Sequence, residues 1–361
     1  MTPRFTSAMR RATDLVRSGD LSAATDMIRN TLGGGETAAA GAKTPAPAQA
    51  SPRKGLGQTL SDLAARMPHG TMPTPAQEAP LPKGARFDAG NYACAQGSRD
   101  YRVYVPALTG APRGMIVMLH GCTQSPVDFA NGTKMNRLAD QHGLIVVYPE
   151  QPRSANMNAC WNWFQASDQE RDGGEPAILA GLTRELRERH AVPQDKVFVA
   201  GLSAGAAMAV ILGRSYPDLY SGVGAHSGLP YKAADTMAGA FAAMGGKPSS
   251  APAASGTPVP TIVFHGSADT TVAPVNGDRI AEETRPEGAE VIDGGNAGGR
   301  SFTRTSVLSD SGHAAMEYWN VAGLGHAWSG GHPSGSHTDA QGPDASAEMV
   351  RFFLNLPRQG E

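Results

Sequence analysis

Five consecutive residues, Gly201-Leu202-Ser203-Ala204-Gly205, match G-x-S-x-G, the pattern in which a sharp strand-to-helix turn lifts a serine hydroxyl clear of the backbone. Glycines on either side leave room for the crowded turn. The first N–H groups of the helix that follows can face a developing oxyanion. With 44 glycines in the chain, composition alone would produce about 0.4 such matches, so context has to decide between an elbow and an ordinary glycine turn. Lys196-Val-Phe-Val-Ala reads as a strand before the match, and the run through Met208, Val210 and Leu212 reads as a helix after it. That is the context the motif requires, and it makes Ser203 the candidate nucleophile.

A serine nucleophile needs a base to take its proton and an acid to orient that base. Following this elbow, the chain order is serine, acid, histidine. Thr261-Ile-Val-Phe reads as a buried strand running into His265-Gly-Ser-Ala-Asp269, so Asp269 falls in a loop at the carboxyl end of a strand, where open α/β sheets gather their sites. Asp278 and Asp293 follow no buried strand so closely; the plain alternative for Asp269 is a turn-forming Asx residue. Of ten histidines, His265, His313, His326, His332 and His337 lie in the right part of the chain. His326 comes just past the strand Met316 to Val321, in a Gly-rich loop free to bend toward the elbow. His313 precedes that strand, at the wrong end of the sheet, and His332 and His337 read as solvated residues of a Gly/Ser/Pro loop. His120-Gly121-Cys122 directly follows the apolar strand Met115 to Leu119. The backbone amides of Cys122 and Ala204 are therefore the expected oxyanion donors, while His120 itself reads as structural. Trp161-Asn-Trp163-Phe164 reads either as packing or as an apolar wall beside the acyl pocket, with Trp161 and Trp163 as substrate-binding candidates. This chemistry calls for no cofactor, and no Cys/His cluster has the spacing of a zinc site.

The elements that must position these residues are short and apolar. Strands are expected at Arg102–Val105, Met115–Leu119, Leu144–Tyr148, Val197–Ala200, Ser221–Ala225, Thr261–Phe264 and Met316–Val321. Helix-length segments lie between them, one from Pro176 to His190 with Glu185 and Arg189 at i,i+4. Such alternation argues for a mostly parallel sheet with helices on both faces, and Ala234 to Pro260 is a small-residue insertion. This catalytic domain is expected over residues 83–361. Ahead of it, residues 33–82 carry Pro45, Pro47, Pro52, Pro68, Pro73, Pro75, Pro80 and Pro82 among Ala, Gly and Ser, the composition of a disordered linker. Residues 1–32 read as a small helical hairpin, with Asp20 as the N-cap of its second helix. Its apolar face needs a partner, whether the main domain, another copy of the chain or a polymer surface.

Of the 361 residues, 40% are hydrophobic and 18% charged, with a formal net charge of −2. This is a globular composition without the basic footprint of a nucleic-acid partner. No apolar run reaches the length of a transmembrane helix. Met1 to Asn30 lacks a secretory pattern, so a cytoplasmic location is expected, with an extracellular one as the alternative. Three cysteines, Cys94, Cys122 and Cys160, allow at most one internal disulfide.

Longer blocks carry a resemblance. LHGCTQSPVDFANGTKMNRLAD (119–140), GLIVVYPEQ (143–151), CWNWF (160–164), VFVAGLSAGAAMA (197–209), YPDLYSGVGAHSGLPY (216–231) and GLGHAWSGG (323–331) resemble the esterase family of poly(3-hydroxybutyrate) depolymerases, over about residues 86–355. The resemblance implies an α/β-hydrolase fold and hydrolysis of 3-hydroxyalkanoate polymer or oligomer esters, with feruloyl and acetylxylan esterases as relatives. It carries the nucleophile onto Ser203, the acid onto Asp269, the base onto His326 and a loop disulfide onto Cys122 and Cys160. The appended binding domain and signal peptide typical of secreted members are not visible, which favours soluble or amorphous substrates. A feruloyl, acetylxylan or general short-chain esterase is the alternative, and a non-catalytic polymer-binding protein on the same scaffold a third reading.

Overall fold

The computed structural model describes residues 76–247, 258–309 and 312–357. The hairpin expected over 1–32, and the expected linker as far as residue 75, lie outside the described residues.

Ten of the described strands form one sheet: β1 (Arg86–Cys94), β2 (Gly97–Val105), β3 (Gly114–Leu119), β4 (Leu144–Pro149), β5 (Val197–Leu202), β6 (Gly222–His226), β7 (Thr261–Gly266), β8 (Ala289–Ala297), β9 (Arg300–Leu308) and β10 (Ala314–Val321). Their order is β1-β2-β4-β3-β5-β6-β7-β10-β9-β8. The six central strands, from β4 to β10, run parallel. An antiparallel hairpin closes each side, β1/β2 at one edge and β8/β9 at the other. A separate parallel pair, β11 (Trp328–Ser329) and β12 (Thr338–Asp339), follows β10.

Every residue of β3, β4, β5 and β7 is buried, as expected for strands covered on both faces. Alternate side chains divide between two cores. Val117, Leu119, Ile145, Val147, Val199 and Val263 point to one, and Ile116, Met118, Val146, Tyr148, Phe198 and Phe264 to the other. The first core is covered by α3 (Gly174–Arg189), through Leu179, Leu182 and Leu186, and by α4 (Ala204–Ser215), through Met208 and Ile211. The second is covered by α1 (Pro126–Thr133), α2 (Met135–His142) and α7 (Ala345–Leu354), through Phe129, Leu138, Phe352 and Phe353. Between β6 and β7 the small-residue insertion forms α5 (Met237–Met244), and α6 (Val275–Glu283) follows β7. A doubly covered, mostly parallel sheet with a serine elbow between β5 and α4 is the α/β-hydrolase arrangement.

The hairpin strands were the least legible part of the fold. β8 (AEVIDGGNA) is solvent-exposed almost throughout, so nothing in it demands an apolar run. Its position comes from pairing with β9, residue for residue from Ala289↔Leu308 to Ala297↔Arg300. Among the described residues no helix is long and apolar enough to cross a membrane.

Candidate active site

β5 ends at Leu202, and the chain turns through Ser203 at φ 57°, ψ −118° before entering α4. A positive φ is strained for a non-glycine residue and persists only where the surroundings over-determine it. Here the surroundings are backbone. The Ser203 amide donates to the His226 carbonyl at the end of β6 (2.9 Å), and the Ser203 carbonyl accepts from Ala207 (3.0 Å). Both flanking glycines are required by space. A Cβ on Gly205 would lie 2.1 Å from the Leu119 carbonyl oxygen, and one on Gly201 would lie 2.4 Å from Gly205. Ser203 is 9% exposed at the head of α4.

Two strands away, β7 and β10 pair in parallel as far as Gly266↔Val321. Their following loops stay together, with Ser267 N on Val321 O (2.9 Å) and Ala268 N on Leu324 O (3.0 Å). This brings Asp269 to His326, whose Nδ1–H donates to Asp269 Oδ2 at 2.8 Å. The other oxygen, Oδ1, accepts from the amides of Thr271 and Val272, both at 2.9 Å. Asp269 is thus an Asx turn and the partner of His326 at once. Burial pushes its carboxyl up, but the His326 hydrogen bond and charge outweigh that and hold it below the usual aspartate value. With Nδ1 engaged, the free Nε2 of His326 is the atom able to accept a proton. Ser203, Asp269 and His326 all sit at the carboxyl edge of the parallel strands. Among the hydrogen bonds of the described residues none joins the Ser203 hydroxyl to His326.

The turn after β3 is held through its side chains. Gly121 N donates to Gln124 Oε1 (2.9 Å), Gln124 N to Gly121 O (3.3 Å) and Thr123 N to Asn158 O (2.7 Å). Cys122 N, between them, is a donor in none of these bonds, and Ala204 N lies at the first position of a helix, where no intrahelical acceptor exists. A disulfide joins Cys122 to Cys160, 38 residues on. His120 is buried, its Nδ1–H on Gly121 O (2.8 Å) and its Nε2 accepting from Gln151 N (3.1 Å). Burial lowers its pKa to about 4, so it is a neutral strut, as its structural reading implies.

The rival candidates lie elsewhere. Asp293 pairs with Arg304 on the β8/β9 hairpin, Asp278 is in the first turn of α6, and His313 precedes β10 at the opposite edge. His265 is the exception: fully buried, its Nε2 lies 2.9 Å from Val272 O and 3.6 Å from Asp269 Oδ2, so it packs directly against the carboxylate that holds His326. Trp161 needs correction as a substrate wall. It is 0% exposed, its indole N–H donates to His120 O (3.1 Å) and its ring packs on His120, so it supports the turn after β3. Trp163 is 5% exposed and meets Phe164 edge to face.

A family model described as esterase PHB depolymerase matches residues 99–307. The chain belongs to that family. It is 31% identical over 256 residues to poly(3-hydroxyalkanoate) depolymerase C of Paucimonas lemoignei, covering 65% of this chain and 60% of that protein. It is 28% identical over 206 residues to the probable acetylxylan esterase A of Aspergillus flavus, covering 50% of this chain and 64% of that one. The match thus spans less than two thirds of either relative's length. The acetyl xylan esterase from Aspergillus awamori shares the fold, with a TM-score of 0.54 at 20% identity over 72% of this chain and 94% of its own.

Two positions in this PHB depolymerase family member escaped sequence reasoning. His226 ends β6 beside the elbow. Its carbonyl holds the Ser203 amide, its Nε2 accepts from Ser329 N (3.0 Å), and its ring stacks between Phe264 and Trp328. It therefore ties the candidate nucleophile to the loop that carries His326. The carboxyl-end rule that singled out Asp269 applies equally to a histidine closing a buried strand. Glu175, in the first turn of α3, is buried and accepts from Arg99 Nη2 (3.1 Å), Gln151 Nε2 (2.5 Å), Asn162 N and Asn162 Nδ2 (both 2.8 Å). Gln151 in turn donates to His120 and to the Cys160 carbonyl (2.9 Å). A glutamate at a helix start reads in sequence as a dipole partner, and nothing in the local pattern marks it as the hub under the oxyanion turn.

Proposed function

We propose that the protein is a serine carboxylic ester hydrolase that cleaves 3-hydroxyalkanoate esters through an acyl-enzyme on Ser203. The observation that carries this reading is the pairing of a strained serine elbow with an Asp269–His326 hydrogen bond at the same sheet edge. His326 Nε2 takes the Ser203 proton as Oγ attacks the ester carbonyl, and the resulting oxyanion is received by the amides of Cys122 and Ala204. His326 then returns the proton to the departing alcohol oxygen. Water attacks the acyl-enzyme by the same route in reverse, releasing the acid. Asp269 keeps His326 in the Nδ1–H tautomer and balances its charge when protonated.

The hydroxyalkanoate substrate is supported by family membership and by the likeness to a poly(3-hydroxyalkanoate) depolymerase. An acetyl ester of a polysaccharide is the second reading, favoured by the likeness to a probable acetylxylan esterase. A Cys122–Cys160 disulfide is maintained most readily in an oxidising compartment, which favours an extracellular or periplasmic setting over the cytoplasmic expectation. The test compares initial rates on 3-hydroxybutyrate oligomers, acetylated xylan, methyl ferulate and short p-nitrophenyl esters. The highest kcat/KM is expected on the oligomers. Ser203→Ala should lower turnover by about 10⁴–10⁶, with His326→Ala and Asp269→Asn in the same region but not additive to it. A Ser203→Ala protein keeping a tenth of its activity sinks the mechanism, and a preference for acetylated xylan sinks the substrate.

A further inference from the structure

His337 read as a solvated loop residue, yet the fold brings it to the site. The ribbon β11/β12 pairs in parallel, Trp328 with Thr338 and Ser329 with Asp339. Extended back by one pair, that register sets His337 beside Ala327, the residue after His326, and the Trp328 amide donates to the His337 carbonyl (2.8 Å). On its other side, His337 Nε2 lies 3.5 Å from Thr123 Oγ1, and Thr123 follows the expected oxyanion amide of Cys122. His337 thus bridges two parts of the site, its backbone carbonyl on the loop that carries the base and its ring against the turn that carries the proposed oxyanion donor. Its backbone sits at φ 51°, a conformation uncommon for a non-glycine residue and concentrated at functional sites.

The hydrogen-bonding state of the ring follows from its neighbours. Thr123 Oγ1 donates to Cys122 O (2.6 Å), so toward His337 it can only accept, and His337 Nε2 carries the hydrogen. At 3.5 Å that contact is at the limit of a hydrogen bond, leaving the N–H nearly uncommitted. Neighbouring groups partly desolvate the ring although the residue as a whole stays exposed, and this, with the adjacent His326, holds its pKa below the ordinary histidine value. A neutral donor exposed to solvent beside the base is matched to a neutral acceptor on the substrate.

His326 must protonate the departing alcohol oxygen, so the alcohol half of the ester extends past His326 toward its neighbours. In a 3-hydroxyalkanoate ester that half carries a second carbonyl a short step from the ester oxygen. We propose that His337 is a substrate-contacting specificity residue whose Nε2–H binds the carbonyl of the alcohol-side 3-hydroxyacyl unit. The assignment rests on the hydroxyalkanoate reading above and names the group that recognises it.

The test uses two butanoates that share an acyl group and differ in that carbonyl: methyl 3-(butanoyloxy)butanoate and sec-butyl butanoate, both followed by butanoate release. Wild-type enzyme should favour the first in kcat/KM. In His337→Ala that preference ratio should fall about tenfold, the scale of one hydrogen bond, and His337→Gln, which keeps an N–H donor, should retain part of it. A wild type indifferent to the carbonyl overturns the substrate class and this assignment with it. A wild-type preference that survives intact in His337→Ala overturns the role of His337 alone. A glutamine variant that discriminates no better than alanine overturns the donor role.

Discussion

At the scale of single residues, the two histidines that hold the site in place also make it sensitive to acid. Burial lowers the pKa of His120 to about 4 and that of His226 to about 3, against about 6.5 in the unfolded chain. Between those values the unfolded state binds more protons than the folded one, so stability rises with pH across the window and falls on acidification. Each histidine contributes about 1.4 kcal/mol per pH unit there. The lowered Asp269 carboxyl acts in the same direction at still lower pH, its contribution disappearing as pH falls through its folded value. Urea unfolding at pH 7 and pH 5 should differ by on the order of 3–4 kcal/mol from the histidine pair. Replacing His226 by Phe should flatten part of that slope. An unfolding midpoint that does not move between the two pH values contradicts the buried neutral assignment of both rings.

At the scale of elements, the oxyanion turn is the piece most dependent on outside support. It follows β3, but its geometry is anchored by the loop between β4 and α3, through the Cys122–Cys160 disulfide, the Trp161 indole and the Gln151–Glu175 network. A crosslink spanning 38 residues restricts the unfolded chain enough to stabilise the fold by about 3–4 kcal/mol in the loop-entropy account. Cys160→Ala should lose stability on that scale and lose kcat as well, since the Cys122 amide, the proposed oxyanion donor, would no longer be held in place. Denaturant titration beside a burst-phase measurement separates the two effects. Loss of stability with acylation unchanged would mean that the disulfide staples the loop without shaping the donor.

At the scale of the whole molecule, the catalytic domain is expected to work without the N-terminal segment, because each residue assigned a role lies at or beyond Arg99. A truncation starting at Lys83 would remove contacts that the preceding residues make. Gln77 O accepts from Asn131 Nδ2 (2.9 Å), and Glu78 forms an ion pair with Arg102, so the last residues of the expected linker already touch the sheet and α1. A chain beginning at Ala76 should fold and keep its kcat on a short soluble ester within about twofold, while losing whatever association residues 1–32 provide. A tenfold loss of small-ester kcat, or an insoluble product, would show the N-terminal segment to be part of the hydrolase fold.

The amino-acid sequence by itself determined the central strands and pointed to the elbow and the order of its candidate partners. Those features are local: a wholly apolar run of strand length, two glycines spaced around a serine, an aspartate and a histidine each just past a buried strand. It also named Cys122 and Cys160, through long blocks of family likeness. Only the tertiary structure decided which residues share the site from a distance. The exposed strand β8 has no local apolar pattern and exists by pairing, Trp161 turned from an expected wall into a buried support, and Glu175 became a hub because donors from three residues, Arg99 on β2 and Gln151 and Asn162 in the loop after β4, converge on it. His326 and His337 are brought together by a two-residue parallel ribbon. Side-chain period marks which face of an element is buried, but the partners across a loop are set by register and packing, and no spacing along the chain records those.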